Sequence, residues 1–216
     1  MRRPGGVVFD LDGTLLETEK LARRCFERAC EDIEWSIDAA VYDRCIGATH
    51  EATEAIIRDA CGDKFPYTAL EERWSYHYHQ VIANEPVDKK PGVVALLERL
   101  RELKIPVAVA TSSFRSTVEL KLAMAELDHY FEFLVCGGEA GPGKPHPGPY
   151  LRAVERLGLT AGYCWAVEDS DNGVRSAVGA GLTVFQIPDE LTPAQDVRDF
   201  GHEILPSALE ILPLLQ

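Results

Sequence analysis

Val7-Val8-Phe9-Asp10-Leu11-Asp12-Gly13-Thr14 sets two carboxylates around one leucine directly after a short apolar run. The β-branched and aromatic run reads as a buried β-strand, and Gly13 can take the backbone geometry of a tight turn. Three later apolar runs repeat the pattern. Pro106-Val107-Ala108-Val109-Ala110 leads into Thr111-Ser112, Phe133-Leu134-Val135-Cys136 into a loop holding Gly143-Lys144-Pro145, and Cys164-Trp165-Ala166-Val167 into Glu168-Asp169-Ser170. Ligands of an open parallel sheet bind outside the carboxyl ends of its strands, so these four polar clusters are expected to converge.

Between Thr14 and Pro91 the sequence carries helical spacing instead. Thr18 precedes Leu21, Cys25, Phe26 and Ala29; Asp38 opens a short segment to Cys45; Thr49 precedes Ala52, Ala55, Ile56 and Ala60; Thr68 with Glu71 reads as a capping box before Trp74 and Tyr78. From Pro91, taken as a first helical position, helices and strands alternate, with Ser116 and Glu119 expected to cap one helix and Ser207 and Glu210 a terminal one. The predicted fold is α/β, a Rossmann-like doubly wound parallel sheet interrupted by an inserted helical bundle. Residues 1–16 and 89–216 are expected to form the core and 17–88 a cap, with joints near Leu15 to Glu17 and Pro86 to Lys90.

Composition narrows the function. A formal net charge of −13 over 216 residues argues against nucleic acid as a partner, because that binding relies on basic surfaces. It leaves anionic small molecules open: charges are screened over roughly 8 Å, whereas a cation about 4 Å from a phosphate contributes on the order of 4 kcal/mol. No run of about 18 apolar residues predicts a membrane span, and the start of the chain does not read as a signal peptide, so a cytoplasmic location without membrane or obligatory protein partner is expected. The six cysteines lack CxxC spacing and are read as reduced and mostly buried. His77 and His79, two apart on one predicted helix, do not share a face for a metal.

Each polar cluster has a plain structural reading. Asp-x-Asp-Gly is a turn composition, Glu168-Asp169 can serve as a helix cap, and Thr111-Ser112-Ser113 is a helix start. An EF-hand loop does not fit, since Gly13 comes too early and Leu15-Leu16 fall where ligands are required. Taken together, four carboxylates at neighbouring strand ends would repel unless a cation sat among them. Two of them can divide the work of nucleophile and general acid and base, while Thr111 and Lys144, the latter in a glycine- and proline-stiffened loop, can hold an anion.

In order and spacing the four clusters resemble the motifs of the haloacid dehalogenase-like hydrolase superfamily, over nearly the whole chain. The helical insert is similar to the small cap of the subgroup that includes phosphoglycolate phosphatases, sugar-phosphate phosphatases and β-phosphoglucomutases. The resemblance implies strand order 5-4-1-2-3, Asp10 as nucleophile forming an aspartyl-phosphate, Asp12 as acid and base, and Thr111 and Lys144 holding the phosphoryl group. It implies Mg²⁺ held by the Asp10 side chain, the Asp12 carbonyl and Asp169, with Glu168 direct or through water. Gly13, Thr14, Ser112 and Ser113 join Thr111 and Lys144 as substrate-binding residues, with Gly47 and His50 from the cap, and the expected substrate is a small phosphorylated metabolite. Departures are Glu17-Thr18 where relatives carry Asp-Ser, and Gly148 where they carry Asp. His50, Phe114 and Ala22 stand where β-phosphoglucomutases have an arginine, a basic residue and a histidine, so hydrolysis is favoured over the mutase reaction, and the intact Asp10, Asp12, Lys144 and Asp169 speak against a non-catalytic binding module. Lys144-Pro145 is expected to be cis.

Overall fold

The computed structural model describes residues 2–46, 48, 50–85 and 87–216. Six parallel strands form one sheet in the order β3-β2-β1-β4-β5-β6: β1 (Gly6–Phe9), β2 (Val107–Ala110), β3 (Phe133–Val135), β4 (Cys164–Glu168), β5 (Thr183–Gln186) and β6 (Glu203–Ile204). Alternation along each strand divides the core. Val7, Phe9, Val107, Val109, Trp165, Val167 and Phe185 pack on one face, and Val8, Ala108, Ala110, Ala166 and Val184 on the other. The first face is covered by α5 (Val93–Glu102), α6 (Arg115–Met124) and a terminal 3₁₀ segment (Ala208–Leu215), and the second by α7 (Gly148–Arg156) and α8 (Asp171–Gly179). At about 1.5–3 kcal/mol for each large side chain buried, two such layers stabilise the sheet from both sides.

The expected order 5-4-1-2-3 is present and is extended by β6, which no sequence pattern predicts. Both residues of β6 are exposed, so no apolar run marks it. An edge strand this short also discourages pairing with another chain.

Four helices lie between β1 and β2: α1 (Glu19–Asp32), α2 (Ala39–Asp43), α3 (His50–Cys61) and α4 (Tyr67–Asn84). They gather Phe26, Ala29, Tyr42, Ile57, Phe65 and Leu70 into a cluster of their own, while Leu21, Cys25 and Ile82 turn toward the sheet. Trp74 packs against both clusters. The chain enters and leaves this block side by side: Leu16 bridges Lys89, the Glu17 amide donates to Asp88 O (2.8 Å) and the Lys90 amide to Leu15 O (2.9 Å).

Several helix starts differ from the sequence expectation. Thr68 and Ser116 sit inside α4 and α6 instead of capping them, and α5 begins after Gly92, whose φ of 84° turns the chain, rather than at Pro91. The terminal segment is 3₁₀ and contains Pro213, which removes an amide donor, although Ser207 does cap it at Leu209. Thr49, expected to precede α3, and Pro86, in the expected second joint, lie outside the described residues. All six cysteines are free thiols. No helix among the described residues is long and apolar enough to cross a membrane.

Candidate active site

The carboxyl ends of β1, β2 and β4 and the loop after β3 meet at one mouth, beneath a cleft of about 1190 Å³ lined from the sheet side and from α1, α3 and α4. Asp10 directly follows β1, and its amide extends the ladder to Val167 O at 3.0 Å. Gly13, at φ 81°, turns the chain so closely that a Cβ there would collide with the Asp169 carboxylate. Thr14 Oγ1 donates to Asp169 Oδ1 at 3.0 Å. One oxygen from each of Asp10, Glu168 and Asp169 fits within 4.8 Å of the others.

Lys144 reaches this group from the loop between β3 and α7, where its bond to Pro145 is cis, as expected. It is buried, and its Nζ donates to Asp10 Oδ1 and to Glu168 Oε1, both at 2.5 Å. Glu168 is fully engaged. Tyr150 Oη donates to Oε1 (2.7 Å), while the Asp169 amide (3.1 Å), the Ser170 amide (3.3 Å) and Ser170 Oγ (3.1 Å) donate to Oε2. Ser170 Oγ then accepts from the Gly173 amide and caps α8, so this cap falls on Ser170 rather than on the acidic pair.

Asp12 turns to the other side of the mouth. Lys121 Nζ donates to its Oδ1 (2.6 Å) and Ser113 Oγ to its Oδ2 (2.7 Å). Thr111 is buried, its hydroxyl accepting from the Ser113 amide (3.1 Å), and Ser112 is exposed at the cleft wall. His50 lines the opposite wall, 3.2 Å from Glu71. Gly47 lies outside the described residues. Asp10, Asp12, Thr111, Lys144 and Asp169 are therefore brought together, with Ser112 and Ser113 beside them and His50 across the cleft. At Gly148 a Cβ would stand 2.7 Å from Ala140 O, so a larger residue there would need this loop to shift.

Burial, reinforced by Glu168 and Asp12, raises the Asp10 carboxyl to about 8 despite the pull of Lys144. Burial together with Glu168, Asp10 and Glu19 raises Asp169 well above the carboxylate range. Burial would also raise Asp12, but Lys121 and the hydrogen bonds it and Ser113 donate outweigh it and lower this group. Thr18, whose buried hydroxyl makes no hydrogen bond of acceptable geometry, still lies close enough to favour the charged form of Asp12. For Lys144 the charges of Asp10 and Glu168 overcome burial and raise it. Once all four carboxylates are ionised they exceed the two ammonium groups by two negative charges, and the oxygen donors are hard; both fit one divalent ion such as Mg²⁺, whose charge would offset the burial that favours the protonated forms of Asp10 and Asp169.

Lys121 and Tyr150 are not marked as site residues by the sequence, and Ser170, though within one of the four clusters, is given no role there. Lys121 does carry a signal: it interrupts the apolar stripe of Val118 and Leu122 on α6, which Ala125 continues just past the helix end. Tyr150 has none, since its spacing is that of an ordinary core aromatic.

The family model for haloacid dehalogenase-like hydrolases matches residues 5–181, a span that takes in all four clusters and the helical block. The chain belongs to that family of hydrolases. The protein CbbY of Rhodobacter capsulatus is 33% identical over 200 residues, covering 88% of each chain. A phosphorylated carbohydrates phosphatase of Thermotoga maritima is 28% identical over 211 residues, covering 97% of each. Among solved structures, CbbY of Rhodobacter sphaeroides in complex with xylulose 1,5-bisphosphate matches with a TM-score of 0.78 at 25% identity, covering 96% of each chain.

Proposed function

We propose that this hydrolase is a Mg²⁺-dependent phosphatase acting on a small phosphorylated metabolite of the sugar-phosphate class. The observation that carries the reading is the seating of Asp10 between Lys144 and the Asp169 carboxylate at the floor of the cleft. The relatives named above, one a phosphatase of phosphorylated carbohydrates, support the substrate class.

In this reading an Asp10 oxygen attacks phosphorus, the bond to the leaving oxygen breaks, and Asp12 supplies the proton that the departing alcohol takes up. Water then attacks the aspartyl-phosphate, Asp12 accepts its proton, and inorganic phosphate leaves. Lys144, Thr111 and nearby backbone amides hold the phosphoryl oxygens, so that catalysis is chiefly positioning and charge neutralisation. The Asp10 and Asp169 carboxylates and the Asp12 carbonyl would hold Mg²⁺, which supplies positive charge against the phosphoryl oxygens. Glu168, committed to five donors, orients Lys144 and the Asp169 backbone from behind. The negative charge of an incoming ester raises Asp12 and favours the proton it must carry.

We further read residues 17–88 as a cap over a core of 1–16 and 89–216, supported by the paired crossings at Leu16 and Lys89 and by a cleft lined from both sides. Turnover of a panel of phosphorylated metabolites with Mg²⁺, ranked by kcat/KM, tests the function. Phosphate release on sugar monophosphates is expected; isomer formation from a hexose 1-phosphate without free phosphate would make the protein a mutase, and no turnover across the panel would leave it a binding module.

A further inference from the structure

Lys121 is buried among the aliphatic core residues, at 1% exposure, yet it is a cation on an apolar helix face. An unpaired buried ammonium is expensive, so its surroundings must answer for it. Its Nζ lies 2.6 Å from Asp12 Oδ1 and 4.9 Å from the centre of the Tyr78 ring, which α4 contributes from the helical block. Ser113 holds the second oxygen of the same carboxylate. Asp12 is thus gripped at both oxygens, while its side chain, part of the cleft lining, stays 21% exposed. Neither α6 nor Lys121 belongs to the four strand-end clusters.

We propose that Lys121 is the positioning residue for Asp12. Pinned between the carboxylate and the Tyr78 ring, it holds Asp12 in the orientation from which the proton reaches the leaving oxygen. The inference rests on the phosphatase reading above and on Asp12 as its acid and base. Lysine suits this role in two ways, with a flexible stem that spans from α6 to the mouth and a point charge that faces the carboxylate and the aromatic face together. The phosphoryl oxygens remain with Lys144 and Thr111, so loss of Lys121 should damage proton transfer more than phosphate binding.

The test uses the dependence on leaving group. p-Nitrophenolate departs without a proton, whereas a sugar alkoxide does not, and kcat/KM reports the chain of steps up to the first loss of leaving group. In Lys121→Met, kcat/KM for the best sugar monophosphate is expected to fall at least 100-fold, and that for p-nitrophenyl phosphate less than tenfold. Tyr78→Leu should shift the same ratio in the same direction by a few-fold. Equal losses on both esters, or no loss, would overturn the positioning role while leaving the phosphatase intact; an unchanged ratio in Tyr78→Leu would remove the ring from the proposal. Should Lys121→Met not fold, Lys121→Gln, which keeps a donor of shorter reach, takes the same measurement, and the same outcomes support or overturn the role. A wild-type protein that hydrolyses neither ester would overturn both the phosphatase reading and this inference.

Discussion

Asp10 bears its charge against its surroundings: it is buried beside Glu168 and Asp12, with Lys144 as its close cation. Removing that charge should therefore cost the fold little. Asp10→Asn is expected to abolish phosphate release while the melting temperature stays level or rises, measured on deamidation-free protein; turnover by the variant would end the nucleophile assignment. Gly173 makes a different demand. A Cβ there would sit inside the Glu168 carboxylate, which would have to let go of Lys144 or Ser170 to make room. Gly173→Ala should destabilise by about 1–3 kcal/mol, a few degrees per kcal/mol in a chain of this size, and lower activity together with stability. An unaltered melting curve would show that α8 moves aside freely.

Helix α1 opens with Glu19, a favourable place for a negative charge at a helix start. Tertiary packing reverses that advantage. Burial first, then Asp12, Asp189 and Glu190, raises this carboxyl from 4.5 to about 7. Between these values the folded chain holds a proton that the unfolded chain has released, so stability is lost as pH rises through the window. Glu19→Gln should shrink the gap in urea stability between pH 5 and pH 8.5 by on the order of 2–3 kcal/mol. An equal gap in both proteins would place Glu19 in contact with water. The helix caps follow the same logic: Asp38 and Ser170, neither followed three residues later by Glu or Gln, hold the first turns of α2 and α8, whereas Thr68 and Ser116, which carry the full capping-box signature, lie inside their helices. A capping box records only local chemistry, and packing chooses where the first turn starts.

For the whole molecule, buried carboxylates that can ionise fully only around a cation predict that Mg²⁺ and stability are linked. Free Mg²⁺ at about 100 times its dissociation constant should stabilise the fold by about 2.7 kcal/mol and chelation should reverse this, read as a shift in melting temperature and independent of turnover. Identical melting with Mg²⁺ and with chelator would count against an ion bound by Asp10 and Asp169. The strands of the sheet and the four polar clusters at their carboxyl ends were legible in the chain, because burial on both faces writes continuous apolar runs and a strand end must be followed by something that can face solvent; the order of five strands came from the family resemblance and not from those runs. Pairings were not legible. Lys121 and Asp12 stand 109 residues apart, Tyr150 and Glu168 occupy positions that pattern alone labels as core and cap, and β6 has no apolar run to mark it. Periodicity reports whether a side chain is buried and not which side chain it meets, so the groups able to react could be read along the chain, but which cation grips which acid was settled only when the helices docked on the sheet.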